Sequence, residues 1–220
     1  MPANDDIYVA FLRGINVGGN NMVSMKALKG SFERLGLDEV STYINSGNIL
    51  FRAAETDARA LEARIDQMLS RDYGLTGKTV VRSRAEMGRL LKTIAKNWKK
   101  PDSDSRYNVI FLRHAIDSKR VLDGLQLKPD IEEVVYCPGT LLWSARIDGL
   151  TRSAMLKLAS QPICRDMTVR NLNTTTKVFE LMQRMADTMA KASPRRPTRA
   201  TASSAGDRRR PPAERRRGRP

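Results

Sequence analysis

Short apolar runs alternate along the chain with segments in which apolar residues recur every three or four positions. The run Ile7–Leu12 is apolar at successive positions and predicts a buried strand, and the helical spacing from Met25 to Leu35 predicts a helix after it. The pattern continues with predicted strands at 40–44 and 48–51, a helix at 61–69, a strand at 78–82 and a helix that starts at a Ser83–Glu86 capping box. The first part of the chain therefore follows the order β-α-β-β-α-β, with one additional helix.

The same order recurs in the second part of the chain. The pattern there predicts a strand at 108–112, a helix at 116–125, strands at 133–136 and 141–145, a helix at 153–159, a strand at 167–170 and a closing helix at 178–185. Local sequence supports the pairing, since Phe-Leu-Arg occurs at 11–13 and again at 111–113. A recurring order of elements at this long spacing indicates an internal duplication.

The expected fold class is α+β, with two tandem ferredoxin-like units followed by a disordered basic tail. The predicted boundaries are a first unit at 1–98, a linker at 99–106, a second unit at 107–190 and a tail at 191–220. Strands that are apolar at successive positions are covered on both faces. We therefore expect the two sheets to pack on each other or on an extra helix, with Phe11 and Phe111 at equivalent buried positions.

The formal net charge of +15 is unevenly distributed. From Lys191 onward the chain has eleven Lys and Arg residues against two acidic residues, a net of +9, which leaves +6 for residues 1–190. This segment has too few large apolar side chains to offset the entropy of ordering, so we expect disorder. Its arginine runs would attract nucleic acid without sequence preference, or would serve only to keep the protein in solution. These runs are Arg208, Arg209, Arg210, Arg215, Arg216 and Arg217.

Composition also argues against several classes of site. Cys137 and Cys164 have no neighbouring Cys or His at ligand spacing, and the chain's one histidine is His114, so no metal site and no cofactor are predicted. The N-terminus has no signal-like apolar segment, and no run is long and apolar enough to span a membrane. The protein is expected to be cytoplasmic, with no membrane partner, and the sequence does not indicate its oligomeric state.

The most informative polar segment follows the first strand. Arg13 ends that strand, and Asn16, Gly18 and Gly19 belong to a loop that leads into the next helix. Glycine lets the backbone approach a ligand closely, and a helix start offers unpaired N–H groups to an anion. The segment lacks the spacing of a dinucleotide or P-loop motif. It is therefore either an anion-binding loop beside Arg13 or a turn that its glycines merely permit.

Two further polar groups complete the predicted ligand-binding set. Donors and amides dominate them, which suits a phosphate, a carboxylate or a base edge better than proton transfer near neutral pH. Each residue also has a structural interpretation, as an ordinary turn residue or, for Asn173 and Thr174, as the N-cap of the closing helix. The two groups are Asn45, Ser46 and Asn48 in the first hairpin, and Arg170, Asn171, Asn173 and Thr174 near the C-terminus.

Three of these motifs resemble those of the DUF1697 family of bacterial proteins. They are Phe-Leu-Arg-Gly-Ile-Asn-Val-Gly-Gly at 11–19, Thr-Tyr-Ile-Asn-Ser-Gly-Asn at 42–48 and Arg-Asn-x-Asn-Thr at 170–174. The resemblance covers about residues 5–190 and implies two α/β units of ferredoxin-like type, without an established activity. The chain has Leu172 where the family usually has tryptophan, so the resemblance supports no aromatic stacking at that position.

The leading hypothesis is a protein that binds an anionic ligand, either a phosphate-bearing small molecule or nucleic acid. We expect Arg13 to point towards Gly18 and Gly19, within reach of Asn45 to Asn48. Two alternatives stay open: an enzyme, a transferase or hydrolase acting on a phosphorylated small molecule, and a structural adaptor with a polyanion-binding tail. The sequence leans away from an enzyme, and convergence of the three motifs on one concave surface would favour ligand binding.

Overall fold

The computed structural model describes residues 7–16, 22–77, 79–99, 101–158 and 161–192. Within these ranges the strands are β1 (Ile7–Leu12), β2 (Asp38–Tyr43), β3 (Asn48–Arg52), β4 (Thr79–Ser83), β5 (Ser105–Leu112), β6 (Glu132–Cys137), β7 (Thr140–Arg146) and β8 (Met167–Asn171). The α-helices are α1 (Met25–Arg34), α2 (Ala58–Tyr73), α3 (Arg84–Asn97), α4 (Ala154–Leu158) and α5 (Leu172–Ala192). We call residues 7–97 the first half and residues 101–192 the second half.

The strands form two four-stranded sheets in which all neighbouring strands are antiparallel. The strand order is β2-β3-β1-β4 in the first sheet and β6-β7-β5-β8 in the second. The predicted α+β class is therefore confirmed, and both halves place their first strand between the third and fourth strands of their own sheet.

The first strand of the first half is buried on both faces. In β1 all six residues are buried, and alternate side chains enter two different apolar clusters. Tyr8, Ala10 and Leu12 face α1 and α2, whereas Val9 and Phe11 face the second sheet. The continuous apolar run predicted this arrangement, because a strand with one wet face would alternate.

The two sheets pack on each other through a shared inner core. Phe11 and Phe111 are fully buried there and stack with their ring centroids 4.2 Å apart and their planes inclined by 27°. Met87 of α3 and Val178 of α5 belong to the same cluster. The expected packing therefore uses both the facing sheets and the extra helices.

Helix starts follow the expected chemistry in the first half. Ser24 caps α1, and its hydroxyl accepts a hydrogen bond from the backbone N–H of Ala27. The predicted capping box is present at α3, where Ser83 and Glu86 bond reciprocally to each other's backbone N–H groups.

The second half departs from the predicted helices. In place of a helix at 116–125 the chain forms two 3₁₀ helices, His114–Ile116 and Lys119–Gly124. Asp117 interrupts the segment, since its carboxylate accepts hydrogen bonds from the Tyr136 hydroxyl and from the backbone N–H of Gly139. The helix predicted at 153–159 is the five-residue α4. β5 begins at Ser105, inside the predicted linker.

The length and hydropathy of the helices show whether any of them could span a membrane. Across residues 7–16, 22–77, 79–99, 101–158 and 161–192, no helix is both long and apolar enough to cross a bilayer.

We expect the stacked rings to couple the stabilities of the two halves. Phe11→Leu and Phe111→Leu should each lower the free energy of unfolding by about 1 kcal/mol, and urea unfolding of the double variant should reveal a coupling of about 0.5–1.5 kcal/mol. As a control, Phe32 is fully buried in the other cluster of β1, so Phe11→Leu and Phe32→Leu should be additive. Additivity of the Phe11 and Phe111 substitutions would contradict the expected coupling.

Candidate functional site

Arg170 of β8 ties the second half to the first. Its Nη2 donates to the backbone carbonyls of Leu12 (2.9 Å), Ser46 (3.0 Å) and Gly47 (3.2 Å). Its Nε donates to the Asn48 side-chain oxygen at 2.5 Å. Residues of all three sequence motifs therefore meet at this point, which we call the first junction, although Arg170 lies more than a hundred positions after the other two motifs in the chain.

The donors of Arg170 are all engaged by protein atoms. Nη1 donates to the Thr168 hydroxyl at 2.9 Å and to the Val169 carbonyl at 2.8 Å, and the guanidinium lies 5.4 Å from the centre of the Phe11 ring. Burial lowers the pKa of Arg170 to about 10, which leaves it a cation at neutral pH. Arg170 was predicted to bind a ligand, but the structure directs its five N–H groups to the protein itself.

The hairpin amide is also used internally. Asn48 is fully buried, and its Nδ2 donates to the Tyr43 carbonyl (3.1 Å) and to the Ser46 hydroxyl (3.2 Å). Gly47 has a φ of +74°, and a Cβ at that position would lie 2.8 Å from the Leu12 Cβ. The turn therefore requires glycine, and Asn48 and Ser46 serve first to shape the turn.

Asn16 closes the loop after β1. It adopts a φ of +53°, its Nδ2 donates to the carbonyls of Val23 (2.9 Å) and Asn45 (3.0 Å), and its Oδ1 accepts from the Val23 N–H (2.7 Å). This side chain ties the loop to the exposed tip of the first hairpin. Gly18 and Gly19 lie outside the described residues.

Arg13 contacts the second half of the chain. It is half-buried, and its Nη2 lies 3.9 Å from the Cys164 Sγ in the 3₁₀ helix Pro162–Asp166 of the second half. Among the described residues no carboxylate forms an ion pair with Arg13, and no hydrogen bond joins it to the hairpin residues 45–48. Its position relative to the loop glycines lies outside the described ranges.

The third motif divides between two places. Asn171 caps α5, its Oδ1 accepting from the Thr174 N–H at 2.7 Å, so the expectation that Asn173 or Thr174 is the cap is wrong. The cap comes earlier because β8 runs directly into α5 at Leu172. Asn171 and Asn173 line a separate cleft of about 610 Å³ on the second half. Within the third motif, Arg170 therefore belongs to the first junction, and Asn171 and Asn173 belong to this cleft.

A second junction mirrors the first, and it was missed in the sequence. Arg82 of β4 donates through Nη2 to the carbonyls of Leu112 and Gly139 (2.8 Å for Gly139), and through Nη1 to Val81 (2.7 Å). Register identifies the equivalence, because Arg82 pairs with Val9 in the first sheet and Arg170 pairs with Val109 in the second. The available signal was a Val-Arg pair at the end of both final strands, at 81–82 and 169–170.

The second junction differs in carrying an ionic network. The Glu62 carboxylate lies 3.7 Å from Arg82 Nη1 and 2.8 Å from His114 Nδ1, and His114 Nε2 lies 3.9 Å from Glu86 Oε1. Hydrogen bonding to Glu62, and then to Glu86, raises the pKa of His114 to about 9. Burial opposes ionisation of Glu86, but its bonds with His114 and Ser83 lower its pKa to about 2. The imidazole is therefore charged at neutral pH.

The arginines that follow the first strand of each half also have unequal surroundings. Arg113 stands at the position equivalent to Arg13, since each follows the last residue of that strand. Its Nη2 lies 2.6 Å from Asp66 Oδ2 and its Nη1 lies 3.6 Å from Asp166 Oδ1. Arg113 is thus neutralised by two carboxylates, whereas Arg13 contacts a thiol.

Comparisons with known proteins agree with the predicted resemblance. The profile of a family described as a protein of unknown function (DUF1697) matches residues 6–143. The chain is also similar to the solved structure of a conserved bacterial protein from Streptococcus pneumoniae, with a TM-score of 0.70 and 26% identity over 80% of this chain and 98% of that one. Among curated proteins, none matches this chain.

Replacing either junction arginine with lysine should destabilise the protein. An ammonium cannot reproduce the planar fork, and several buried carbonyls would each lose the donor that arginine supplies, so Arg170→Lys and Arg82→Lys should each lower the free energy of unfolding by about 3 kcal/mol. Arg89→Lys, on the exposed side of α3, is the matched control and should change it by less than about 0.5 kcal/mol in urea unfolding. Junction variants as stable as this control would refute the structural role.

The second junction should make stability depend on pH in the alkaline range. The folded-state pKa of His114, about 9, lies above its ordinary value of 6.5, so the stabilisation is complete below the latter and is lost as pH rises through the former. Urea midpoints measured from about pH 6 to about pH 10 should fall more steeply for the natural chain than for His114→Gln. His114 is the one histidine of the chain, so parallel curves for the two proteins would contradict this assignment.

Proposed function

This chain belongs to the DUF1697 family of proteins of unknown function, and we propose that it binds an anionic, phosphate-bearing ligand beside Arg13. The contrast between Arg13 and Arg113 carries the proposal. The two arginines follow equivalent strands, yet the described residues place two carboxylates on Arg113 and none on Arg13. A half-buried guanidinium without a carboxylate partner is well suited to an external anion.

The surroundings of Arg13 support the same ligand class. Asn16 fixes the start of the glycine-containing loop, and the exposed Asn45 at the hairpin tip lies next to it through their hydrogen bond. Both N–H groups of the Asn16 amide are used within the fold, so the exposed Asn45 side chain is the amide we propose as a further donor to a phosphate with several acceptor oxygens. Arg170, by contrast, contributes by holding this region to the second half, and Gly18 and Gly19 remain proposed backbone contacts.

The uneven charge adds a second, weaker argument. A body of +6 and a tail of +9 favour the approach of polyanions. We further propose that the tail, with arginines 208–210 and 215–217, binds nucleic acid without sequence preference and works in the cytoplasm alongside the ligand site.

An enzymatic function has one observation in its favour. A cleft of about 260 Å³ at the second junction is lined by Arg82, Glu86, Arg89 and His114. With a pKa of about 9, His114 could act there as a proton donor but would be a poor base near neutral pH. We therefore rank a transferase or hydrolase activity behind ligand binding.

The proposed history of the fold is a duplication of one ferredoxin-like unit. The matching strand orders, the stacked Phe11 and Phe111, and the exchange of Arg82 and Arg170 between the halves support it. The short helices of the second half would then be a later divergence.

Isothermal titration of the full chain with inorganic pyrophosphate tests the proposed site. Arg13→Ala should weaken binding by an amount on the order of 1.5–3 kcal/mol, the range for a hydrogen bond to a charged group, and should leave thermal stability nearly unchanged. Arg113→Ala is the matched control, and it should lose stability while keeping affinity. Because every variant retains the basic tail, its nonspecific contribution cancels. Unchanged affinity in Arg13→Ala, together with a large loss of stability, would make Arg13 a structural clamp instead.

A further inference from the structure

The second half carries a cleft of about 610 Å³ that is separate from the Arg13 site. Its volume falls within the range typical of small-molecule sites. Asn108, Asn171 and Asn173 line it together with Leu150, Met155 and Leu172. We propose that this cleft binds a nucleobase, presented as a free nucleoside or as the uncharged part of a larger ligand. The proposal does not depend on Arg13 binding an anion.

Comparison of the two sheets shows what is unusual about the floor of the cleft. In the first sheet, Tyr8 pairs with Phe51 on one side and with Ser83 on the other. In the second sheet the same register pairs Asn108 with Trp143 and Asn171. A buried aromatic position in one half is therefore an amide in the other.

The helices that cover this face of the sheet also differ between the two halves. Tyr8 is 3% exposed, stacks on Phe51 at 5.8 Å, and belongs to the cluster that α1 and α2 cover. On the second sheet, 3₁₀ helices and the five-residue α4 stand in for those helices, and Asn108 is only half-buried. Burying an amide in an apolar core without hydrogen-bond partners costs free energy. An asparagine at this position therefore fits a face that is left open as a cleft.

The polar groups of the floor suit the edge of a planar ring. Asn108 of β5 and Asn171 of β8 are directly opposite each other in the sheet, so their Cβ atoms lie roughly 5 Å apart. Asn171 Oδ1 is held by the α5 cap, whereas Asn173 is exposed in the first turn of that helix. Side-chain amides pair donors and acceptors in one plane, as the edges of nucleobases do.

The remaining walls favour a flat, uncharged ligand. Leu150 and Met155 come from the segments after β7, and Leu172 from the start of α5. The charged lining residues, Asp102 and Arg106, have opposite signs, so the cleft offers no net attraction to an anion. Trp143 is 3% exposed and donates from Nε1 to Glu132 at 2.9 Å, which makes it a fixed floor.

Saturation-transfer NMR and calorimetry on the full chain, with adenosine, guanosine, cytidine and uridine as probes, test the proposal. These nucleosides carry no phosphate, so neither the basic tail nor Arg13 should contribute to their binding. At least one nucleoside should bind saturably, and ribose alone should not bind. Arg13→Ala should leave nucleoside affinity unchanged even if it abolishes binding of pyrophosphate, so the two proposals can fail separately.

Two variants locate the binding. Asn108→Tyr introduces the residue found at this register in the first half and should fill the cleft, weakening nucleoside binding about tenfold or more. Asn173→Ala changes an exposed side chain that the fold does not need, and it should weaken binding by about threefold. Gln67→Ala, an exposed amide on α2, is the control and should have no effect. The proposal is overturned if no nucleoside binds at millimolar concentration, if ribose alone binds, or if Asn173→Ala and a folded Asn108→Tyr bind as the natural chain does.

Discussion

The fold depends on a buried arginine from each half that enters the other half. Arg170 donates to carbonyls at the end of β1 and in the first hairpin, and Arg82 donates to the matching carbonyls at the end of β5 and in the second hairpin. The Gly47 and Gly139 carbonyls accept a hydrogen bond from the N–H of Leu12 and Leu112 in their own half, and each oxygen has a second lone pair to which the arginine donates. One planar guanidinium satisfies several of them at once. Each half therefore completes the hydrogen bonding of its partner.

This exchange also explains local features that otherwise look unrelated. Gly139 has a φ of +81°, and a Cβ there would lie 2.9 Å from Arg82 Nε, so the turn needs glycine to admit the guanidinium. Phe11 lies beneath the Arg170 guanidinium and against Phe111, which places the aromatic contact of the two sheets next to the polar one. The polar contacts and the apolar contacts between the two halves therefore lie side by side, and together they fix how one half is oriented on the other.

Candidate function lies where the two halves differ. The first junction is built from amides and leaves Arg13 without a carboxylate partner among the described residues, whereas the second is an ionic network around His114. The outer faces differ as well, since α1 and α2 bury one sheet and short segments leave a cleft on the other. Two sheets of the same strand order therefore present different chemistry, because their side chains differ at positions that do not hold the halves together.

Much of the fold could be predicted from the sequence, because strand and helix patterns are local. The apolar run of β1, the capping box at Ser83 and the two hairpin turns all follow from neighbouring residues, and the predicted α+β class is confirmed. The short helices after β5 could not be predicted, because Asp117 bonds to Tyr136 and Gly139 across the fold. Among the candidate site residues, the sequence identified Arg170 and Asn48 as members of two polar motifs, but it did not show that they contact each other. Only the tertiary structure decided that Arg170 donates to backbone carbonyls of the first half and that Arg82 makes the equivalent bonds to the second half. It also decided that Asn173 lines a different cleft. The sequence determines which donors and acceptors a side chain carries, but the packing of distant segments determines which hydrogen-bond partners it reaches.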